Sequence, residues 1–395
     1  MDNFFAGGKA MPRPNLRTIA VLFCVVSPGT AFAEAPSVSG SATIFTGAKI
    51  AGDGNSDPQL GGRLDVSIAA PINDRITINL HPEFVFGNNV NDIGDGSVLP
   101  LNTALMFPSN GGEDFDLSMH ATVKIGESAS LNIGKINLFD LVAKTPIVGG
   151  GGLDGFQNIA LAAPPSGLVP PSLLGAMLSI PTKSAVFGLW VYDPANQTNK
   201  TGFEDPFGSG TSFLASAMVP VTIGGKPGYQ NFKASVNTKT GFDLNDLPEL
   251  VLPPETRVTG TNKGAWNVTY AFQQFLWMNP TAKGRGWGVF GQVGLSDGNP
   301  TPLDWSMHLG VGGQPWLSRP DDRFGFAYFR QSFSNLIIDA AAPIARIRDE
   351  QGLEAFYTVQ IGKPFRLTAD VQVIDGAVPD RRTAVVSSLR LKAGF

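Results

Sequence analysis

Cysteine and long apolar runs are the two features that this sequence has least of. Cys24 is the only cysteine among 395 residues, which excludes a disulfide framework and cysteine-based metal sites. No run of 18 or more apolar residues remains after residue 33, which excludes transmembrane helices. Without such helices, only a closed β-barrel could carry this chain across a membrane.

Basic charge and helical periodicity are also scarce. The formal net charge is −4, so the chain lacks the basic footprint of a nucleic-acid-binding protein. We find no long amphipathic helical pattern. The chain is instead rich in 47 glycines and 30 prolines, which punctuate it, and in 27 phenylalanines, while charged residues make up only 16%. This composition is typical of many short strands joined by turns.

The N-terminal segment has the pattern of a signal peptide. Arg13 and Arg17 precede an apolar run, and Ala31-Phe32-Ala33 offers small residues at the two positions that signal peptidase reads. We therefore predict that residues 1–33 are removed on export and that residues 34–395 form the mature barrel.

Removal of this segment would change the net charge of the chain. Which methionine is the true start is a separate open question. It takes away three cations and one anion, so the formal net charge falls from −4 to −6. Met11 lies just before the basic residues, so either Met1 or Met11 is the true start.

The end of the chain alternates between apolar and polar residues. This pattern suits a strand with lipid on one side and a watery lumen on the other, although an edge strand of a soluble sheet is the alternative. Phe395 resembles the C-terminal aromatic by which barrel-assembly machinery recognises outer-membrane barrels. The apolar face carries Val385, Leu389, Leu391, Ala393 and Phe395, and the other face carries Ala384, Val386, Ser388, Arg390, Lys392 and Gly394.

Period-two patterns predict sixteen strands, an even number that fits an all-β, antiparallel, up-and-down transmembrane barrel. The predicted strands are 38–47, 60–71, 75–87, 115–124, 129–139, 171–180, 184–193, 211–222, 229–238, 263–278, 284–296, 303–313, 322–334, 352–362, 365–375 and 383–395.

The connections alternate between short and long. Short turns such as 72–74 and 125–128 occur at every second joint, whereas most joints between them are long, for example 88–114 and 140–170. This alternation is expected of a bacterial outer-membrane barrel with short periplasmic turns and long extracellular loops. A soluble sandwich has no reason to sort its loops in this way.

Period two also assigns faces. In the second strand Leu64 and Val66 are expected to face lipid, and in the third strand Pro82 predicts a bulge or local unpairing, because proline cannot donate to the ladder. Aromatic residues near strand ends are expected to form two interfacial girdles. These are Tyr229, Trp277, Trp316 and Phe365 at the turn end, and Phe45, Phe86, Tyr192 and Phe213 at the loop end.

Several segments resemble carbohydrate-selective porins of the OprB family. The resemblance covers roughly residues 130–395, and Gln292 departs from it because the family often has arginine there. The segments are Asn137-Leu138-Phe139-Asp140, Gly152-Leu153-Asp154-Gly155-Phe156-Gln157-Asn158, Ala163-Pro164-Pro165-Ser166-Gly167, residues 286–300, residues 319–326, Leu353-Glu354-Ala355-Phe356-Tyr357 and residues 367–374.

The resemblance implies a sixteen-stranded channel that passes small sugars. Such a channel needs a constriction lined by planar hydrogen-bonding groups that exchange water for sugar hydroxyls. Residues 140–170, the longest connection, are rich in glycine and proline and carry apolar residues poorly placed in water, so we expect this loop to fold into the lumen. The candidate sugar-contacting residues are Arg63, Asp65, Glu83, Lys135, Asn137, Asp140, Asp154, Glu354, Arg366, Asp370, Gln372 and Arg390.

Catalytic signals are poor, so no enzyme activity, cofactor or metal is predicted. Residues 286–291 match G-x-G-x-x-G, but they lie inside a predicted strand with no helix after it. His81, His120 and His308 are far apart in sequence and show no metal-ligand spacing or triad pattern.

Three functions therefore remain open. The first is an outer-membrane porin that admits small sugars into the periplasm by passive diffusion, with outer-membrane lipid, the barrel-assembly machinery and the sugars themselves as partners. The second is a general or differently selective porin. The third is an exported β-protein without a transport role, such as an adhesin or a polysaccharide enzyme. The sequence leaves open which sugar is carried, and whether the barrel is a monomer or a trimer.

Overall fold

The chain forms a single closed barrel in which each strand pairs with its neighbours in sequence. The computed structural model describes residues 35–107, 111–149, 151–165, 168–246, 260–342 and 346–395, and the predicted signal peptide lies outside them. All pairs are antiparallel, and the first strand closes the ring by pairing with the sixteenth. Closure leaves no exposed strand edge, which a lipid environment requires.

The strands are β1 (Ser37–Ala51), β2 (Gln59–Pro71), β3 (Ile76–Gly87), β4 (Gly112–Ile125), β5 (Ala129–Asn137), β6 (Ser172–Pro181), β7 (Val186–Tyr192), β8 (Ser212–Ile223), β9 (Lys226–Phe242), β10 (Thr261–Met278), β11 (Gly286–Ser296), β12 (Leu303–Gly313), β13 (Arg323–Phe333), β14 (Glu350–Ile361), β15 (Phe365–Asp375) and β16 (Ala384–Gly394). The prediction of sixteen strands is confirmed, and β12 and β15 have the predicted bounds.

Helices are few and short. The α-helices are α1 (Phe139–Val142), α2 (Ile159–Ala162) and α3 (Asn335–Ala341), and 3-10 turns span Val90–Asp92, Thr103–Leu105 and Leu244–Asp246. None of the helices in the described ranges has the length and apolar character needed to span a membrane.

The predicted faces are confirmed by burial. On β16, Leu389 and Leu391 are 49% and 45% exposed on the outer face, whereas Arg390 between them is 1% exposed. On β2, Leu64 is likewise exposed, and its inward neighbour Asp65 is buried. Such alternation of apolar outward and polar inward residues is what a barrel in lipid requires.

Two local predictions meet different outcomes. Near Pro82 the β2–β3 ladder is interrupted between the Asp65–Glu83 and Ile68–Leu80 pairs, so the predicted local unpairing is confirmed. The prediction that the fifth strand continues to residue 139 is wrong. It ends at Asn137, whose side-chain oxygen accepts a 2.9 Å hydrogen bond from the Phe139 amide, and α1 begins at Phe139.

The aromatic girdles are only partly as predicted. Trp316 and Phe213 are exposed on the outer face, as expected. Phe45 and Tyr192 are buried inside the barrel, and Tyr229 lines the lumen. The prediction failed for these three residues because it used their position near a strand end and ignored the face that period two gives them.

Strand length varies around the barrel and determines where a loop can enter. β5 has 9 residues and β7 has 7, whereas β9 and β10 have 17 and 18. The wall is therefore low at the place where β5 ends and β6 begins. The connection between them, residues 138–171, leaves the wall partway up the barrel. We call this segment the inner loop.

Val371 tests the face assignment. It lies midway along β15 and is exposed on the outer face, between neighbours on β14 and β16. An arginine on the lipid face near the bilayer midplane costs about 2 to 4 kcal/mol. We expect Val371→Arg to lower the midpoint of urea unfolding in lipid vesicles. Asp370→Asn, one residue away on the inner face, is the control and should lower the midpoint less, because the amide keeps the size of the side chain and its oxygen can still accept the hydrogen bond from Gln372. The reverse order of effects would mean that the assigned register of the strand is wrong by one residue and that its two faces are exchanged.

Candidate functional site in the barrel interior

Arg390 on β16 joins the inner loop to the barrel wall. Its guanidinium donates hydrogen bonds to the carbonyl oxygens of Gly152 at 2.6 Å and Gly155 at 2.9 Å. A buried guanidinium needs such partners, because an unpaired buried charge costs on the order of several kcal/mol. Gly155 is also required by space, since a Cβ there would lie 1.9 Å from the carbonyl oxygen of Gly149.

Glu354 on β14 binds the next part of the inner loop. Its carboxylate accepts hydrogen bonds from the backbone amides of Gln157 and Asn158, the latter at 3.0 Å. The Asn158 side chain donates to Gln372 at 3.1 Å, and Gln372 in turn donates to Asp370 at 3.3 Å. Polar residues on β14 and β15 thus hold this part of the loop through hydrogen bonds to its backbone amides and to the Asn158 side chain.

Asp154 is the loop's own charged contact with the wall. Its carboxylate lies 2.7 Å from Arg366 on β15 and 2.6 Å from Lys392 on β16. Burial raises the pKa of Asp154, but the two cations outweigh this effect and hold the pKa below its usual range. The carboxylate therefore stays ionised at neutral pH, and the two cations remain paired with it.

Phe156 provides the apolar part of the attachment. Its ring is fully buried and packs edge-on against Phe356 and Phe290, with centroid distances of 4.9 and 5.6 Å. Gly325 on β13 leaves room for the ring, because a Cβ there would lie 2.6 Å from it. Aromatic pairs of this geometry add about 0.5–1.5 kcal/mol beyond the area they bury. The inner loop therefore sits on β11–β16 through both charge and apolar packing.

A second loop, residues 88–111 between β3 and β4, supports the first. Thr103 donates from its backbone amide and its hydroxyl to the carbonyl oxygen of Gln157, at 2.8 and 2.6 Å. The amide of Ile159 donates to the carbonyl oxygen of Pro100 at 3.0 Å. Leu101 of this loop belongs to the same buried apolar cluster as Phe156. The two loops thus form one packed body inside the barrel.

Arg63 on β2 organises a separate charged cluster. Its guanidinium is hydrogen-bonded to both Asp65 and Glu83, and Glu83 also accepts from Asn137 at 2.8 Å. Asp65, His81 and Glu83 converge closely enough to hold a metal ion. The guanidinium already pairs with both carboxylates, so it takes the place that a cation would have there.

Two further contacts involve predicted site residues. Lys135 on β5 donates to the carboxylate of Asp116 and, at 2.6 Å, to the carbonyl oxygen of Lys200. Asp140, at the start of the inner loop, lies 2.8 Å from Nδ1 of His81. Both contacts tie a loop to the wall near the end of β5.

A large lumenal space lies on the opposite side of the barrel from these attachments. It has a volume of about 640 Å³ and runs between the inner loop and the inner faces of β7–β12. We call this stretch of wall the open wall. Its polar residues in the cavity are Ser216, Asn231, Lys233, Ser235, Lys239, Asn267, Thr269, Gln273, Gln292, Ser306 and His308, with Trp190 and Tyr229 beside them.

The inner loop presents a different chemistry to the same space. Leu141, Val142, Ile159 and Leu161 face the cavity from the loop, together with a run of alanine and proline. The passage is therefore two-sided, because the loop side is aliphatic whereas the wall carries amide and hydroxyl groups interspersed with apolar residues such as Leu214, Phe272 and Phe290. Along β9 the cavity extends from Tyr229 to Lys239, ten residues or roughly 33 Å of strand.

The twelve predicted sugar-contacting residues do not line this cavity, within the part of the chain that the structure describes. Arg63, Asp65, Asp140, Asp154 and Arg366 border a smaller space of about 390 Å³ at the short-turn end of the barrel, next to Phe395. Their role as sugar contacts stays a prediction.

Sequence reasoning missed the open wall because it selected charged residues. The signal was nevertheless present. Asn231, Lys233 and Ser235 on β9 alternate with Phe232 and exposed apolar residues, as Asn267, Thr269 and Gln273 do on β10. Neutral amides and hydroxyls with period two were the pattern to follow.

Comparisons with known proteins agree with this architecture. The model of a family described as "Carbohydrate-selective porin, OprB family" matches residues 59–395. No curated protein matches the sequence. The high-pH structure of Pseudomonas putida OprB has a TM-score of 0.77 at 15% identity, and the alignment covers 91% of this chain and 94% of that one.

Two further solved structures are similar. They are the outer membrane channel DcaP of Acinetobacter baumannii and Salmonella typhi OmpF in complex with daunomycin. Each has a TM-score of 0.55 at 12% identity, covering 91% of this chain and 97% of its own. At such identities these likenesses show the fold.

Proposed function

Because the chain belongs to the OprB family of carbohydrate-selective porins, we propose that small sugars cross it by passive diffusion along the open wall. The protein is a porin of the outer membrane, not an enzyme, and its solutes are carbohydrates. The proposal adds the route, the groups that contact the solute and the part of the chain that narrows the channel.

The proposed route rests on a single observation, which is the two-sided chemistry of the larger cavity. A pyranose ring has hydroxyl groups around its edge and aliphatic C–H groups on its faces. Amides such as Asn231 and Gln292 on the wall suit the hydroxyls, and Leu141 and Ile159 on the loop suit the C–H faces. A simple water-filled pore has no need for this pairing.

We assign a supporting role to the predicted site residues that bind the inner loop. Arg390 and Glu354 hydrogen-bond its backbone, and Arg366 pairs with Asp154. In this proposal they fix the loop that narrows the lumen, and they affect sugar passage through the loop's position. The second candidate, a porin of general selectivity, predicts no advantage for sugars over other solutes of equal size.

Deletion of the inner-loop tip tests the proposal. We would remove residues 149–164 and join the ends with two glycines, since the 3.0 Å hydrogen bond from the Gly151 amide to the Ala162 carbonyl oxygen shows that the two arms of the tip run side by side just inside these ends. We expect single-channel conductance to rise severalfold, because the segment that narrows the lumen is gone. In liposome swelling, the wild type should admit a neutral sugar faster than an ethylene glycol oligomer of equal size, and the deletion should bring the two rates together.

Heat-modifiable migration in detergent gels is the folding control for this variant. A correctly folded deletion variant with unchanged conductance would remove the loop from the constriction. Equal wild-type rates for sugar and glycol would instead favour the general porin.

Export and assembly form the second part of the proposal. The predicted signal peptide, residues 1–33, directs export, and the strand that ends at Phe395 presents an aromatic residue to the assembly machinery. Phe395 is 75% exposed on the outer face, and its backbone pairs with Gly40 at 3.0 Å in both directions. The exposed apolar outer face is the part of the barrel that contacts outer-membrane lipid.

Phe395→Ser should reduce the amount of protein in the outer membrane severalfold, because the aromatic recognition group is lost. Phe365→Ser is the matched control, since Phe365 is also an exposed aromatic at the short-turn end but lies inside the chain. Quantitative immunoblotting of outer-membrane fractions measures the amount, and sugar flux per folded barrel should not change. Normal assembly of Phe395→Ser together with altered flux would contradict the proposal.

A further inference from the structure

Acidic residues are distributed unevenly around the barrel wall. Strands β6–β11 contain no aspartate or glutamate, but they carry Lys226, Lys233 and Lys239 on β9 and Lys263 on β10. Among the remaining strands both signs of charge occur, for example Arg63 and Asp65 on β2 and Arg366 and Asp370 on β15. On the open wall β12 adds one carboxylate, Asp304, which lies outside the larger cavity, so this wall carries more positive than negative charge in a chain whose formal net charge is −4.

Two of these lysines reach the cavity. Lys233 and Lys239 line it, and no carboxylate does so among the residues that the structure describes. Lys233 lies midway along β9, between Ser216 on β8 and Thr269 on β10, which are themselves cavity residues. Neither lysine side chain has an ion-pair partner in the described ranges.

Several other inward-facing cations are occupied. Lys135 is paired with Asp116, Arg63 with Asp65 and Glu83, and Lys392 with Asp154. Arg390 and Arg323 donate to carbonyl oxygens of the inner loop. Lys233 and Lys239 are thus set apart from the cations that hold the structure together, and their charge is available to a solute.

We propose that the passage favours sugars that carry a carboxylate, such as aldonic and uronic acids, over neutral sugars of equal size. Lys233 and Lys239 determine this preference, because their ammonium groups attract the carboxylate while the amides of the open wall bind the hydroxyls. The inference rests on the proposed route, since the lysines act on a solute only if it crosses along this wall.

The size of the effect follows from Coulomb's law. A unit charge about 6 Å from an ammonium in water is enriched about threefold, and screening at about 0.1 M salt acts over about 10 Å. Each lysine should therefore contribute about a threefold preference for the acid. The same charges should make the channel select chloride over potassium.

The experiment compares D-glucuronate and D-glucose uptake into proteoliposomes at low salt, for the wild type and for Lys233→Gln/Lys239→Gln. Lys226→Gln is the matched control, because it removes a lysine from the same strand outside the cavity. The reversal potential in a potassium chloride gradient gives an independent readout. Heat-modifiable migration verifies that each variant is folded.

We expect the wild type to take up glucuronate severalfold faster than glucose, and the double variant to take up the two at similar rates, chiefly because glucuronate uptake slows. Lys226→Gln should retain the wild-type ratio. Normal glucose uptake with no glucuronate preference, or a preference that survives the double substitution, would overturn the inference and leave the proposed route intact. Failure of the folded wild type to pass either sugar would overturn both.

Discussion

The pairing of Arg390 with the carbonyl oxygens of Gly152 and Gly155 is the contact on which the interior of the barrel depends. A guanidinium buried on the inner wall must find acceptors, and the inner loop is what supplies them. Once these bonds are made, the next residues of the loop reach Glu354, and Phe156 enters the apolar cluster beside Gly325. The position of the loop then determines which part of the lumen stays open.

The barrel is consequently divided into two arcs with different tasks. On β13–β16, the inward charged residues form internal ion pairs and contacts with the inner loop, so that side of the barrel supports the loop. On β7–β12, the inward residues that face the cavity are mainly amides and hydroxyls, together with two lysines and several aromatic residues. Long strands such as β9 and β10 extend the open wall, whereas the short β5 lets the loop enter below the rim. Strand length and charge distribution thus place support and passage on opposite sides.

The strands could be predicted from the sequence because lipid and lumen impose period two on every one of them. The same rule gave the correct faces for Leu389, Arg390 and Leu391. The predicted positions of Phe45 and Tyr192 were wrong because they were taken from the strand ends and not from this rule. A local pattern of this kind is complete within one strand, so it needs no knowledge of the rest of the chain.

The candidate site was harder to predict because period two says which residues point inward but not what stands in front of them. Glu354 was expected to meet a sugar, but it accepts a hydrogen bond from Gln157, 197 residues earlier in the chain. Contacts over such separations decide whether an inward charge meets water or a loop. Asn231 and Thr269, which carry no charge, line the cavity instead.

Chemical labelling of single introduced cysteines tests the division of the lumen most directly. Cys24 is the only native cysteine and lies in the predicted signal peptide, so the introduced thiol is the only one expected in the mature chain. Ser216→Cys and Ser306→Cys place a thiol on the open wall, and Ser388→Cys places one under the inner loop, where Ser388 accepts from Gln157 at 2.9 Å. We expect a water-soluble methanethiosulfonate reagent to modify the first two variants and to slow their sugar flux, while Ser388→Cys stays unmodified. Rapid modification and blockage of Ser388→Cys, with Ser216→Cys and Ser306→Cys unreactive, would place the passage on the other side of the barrel and contradict the account.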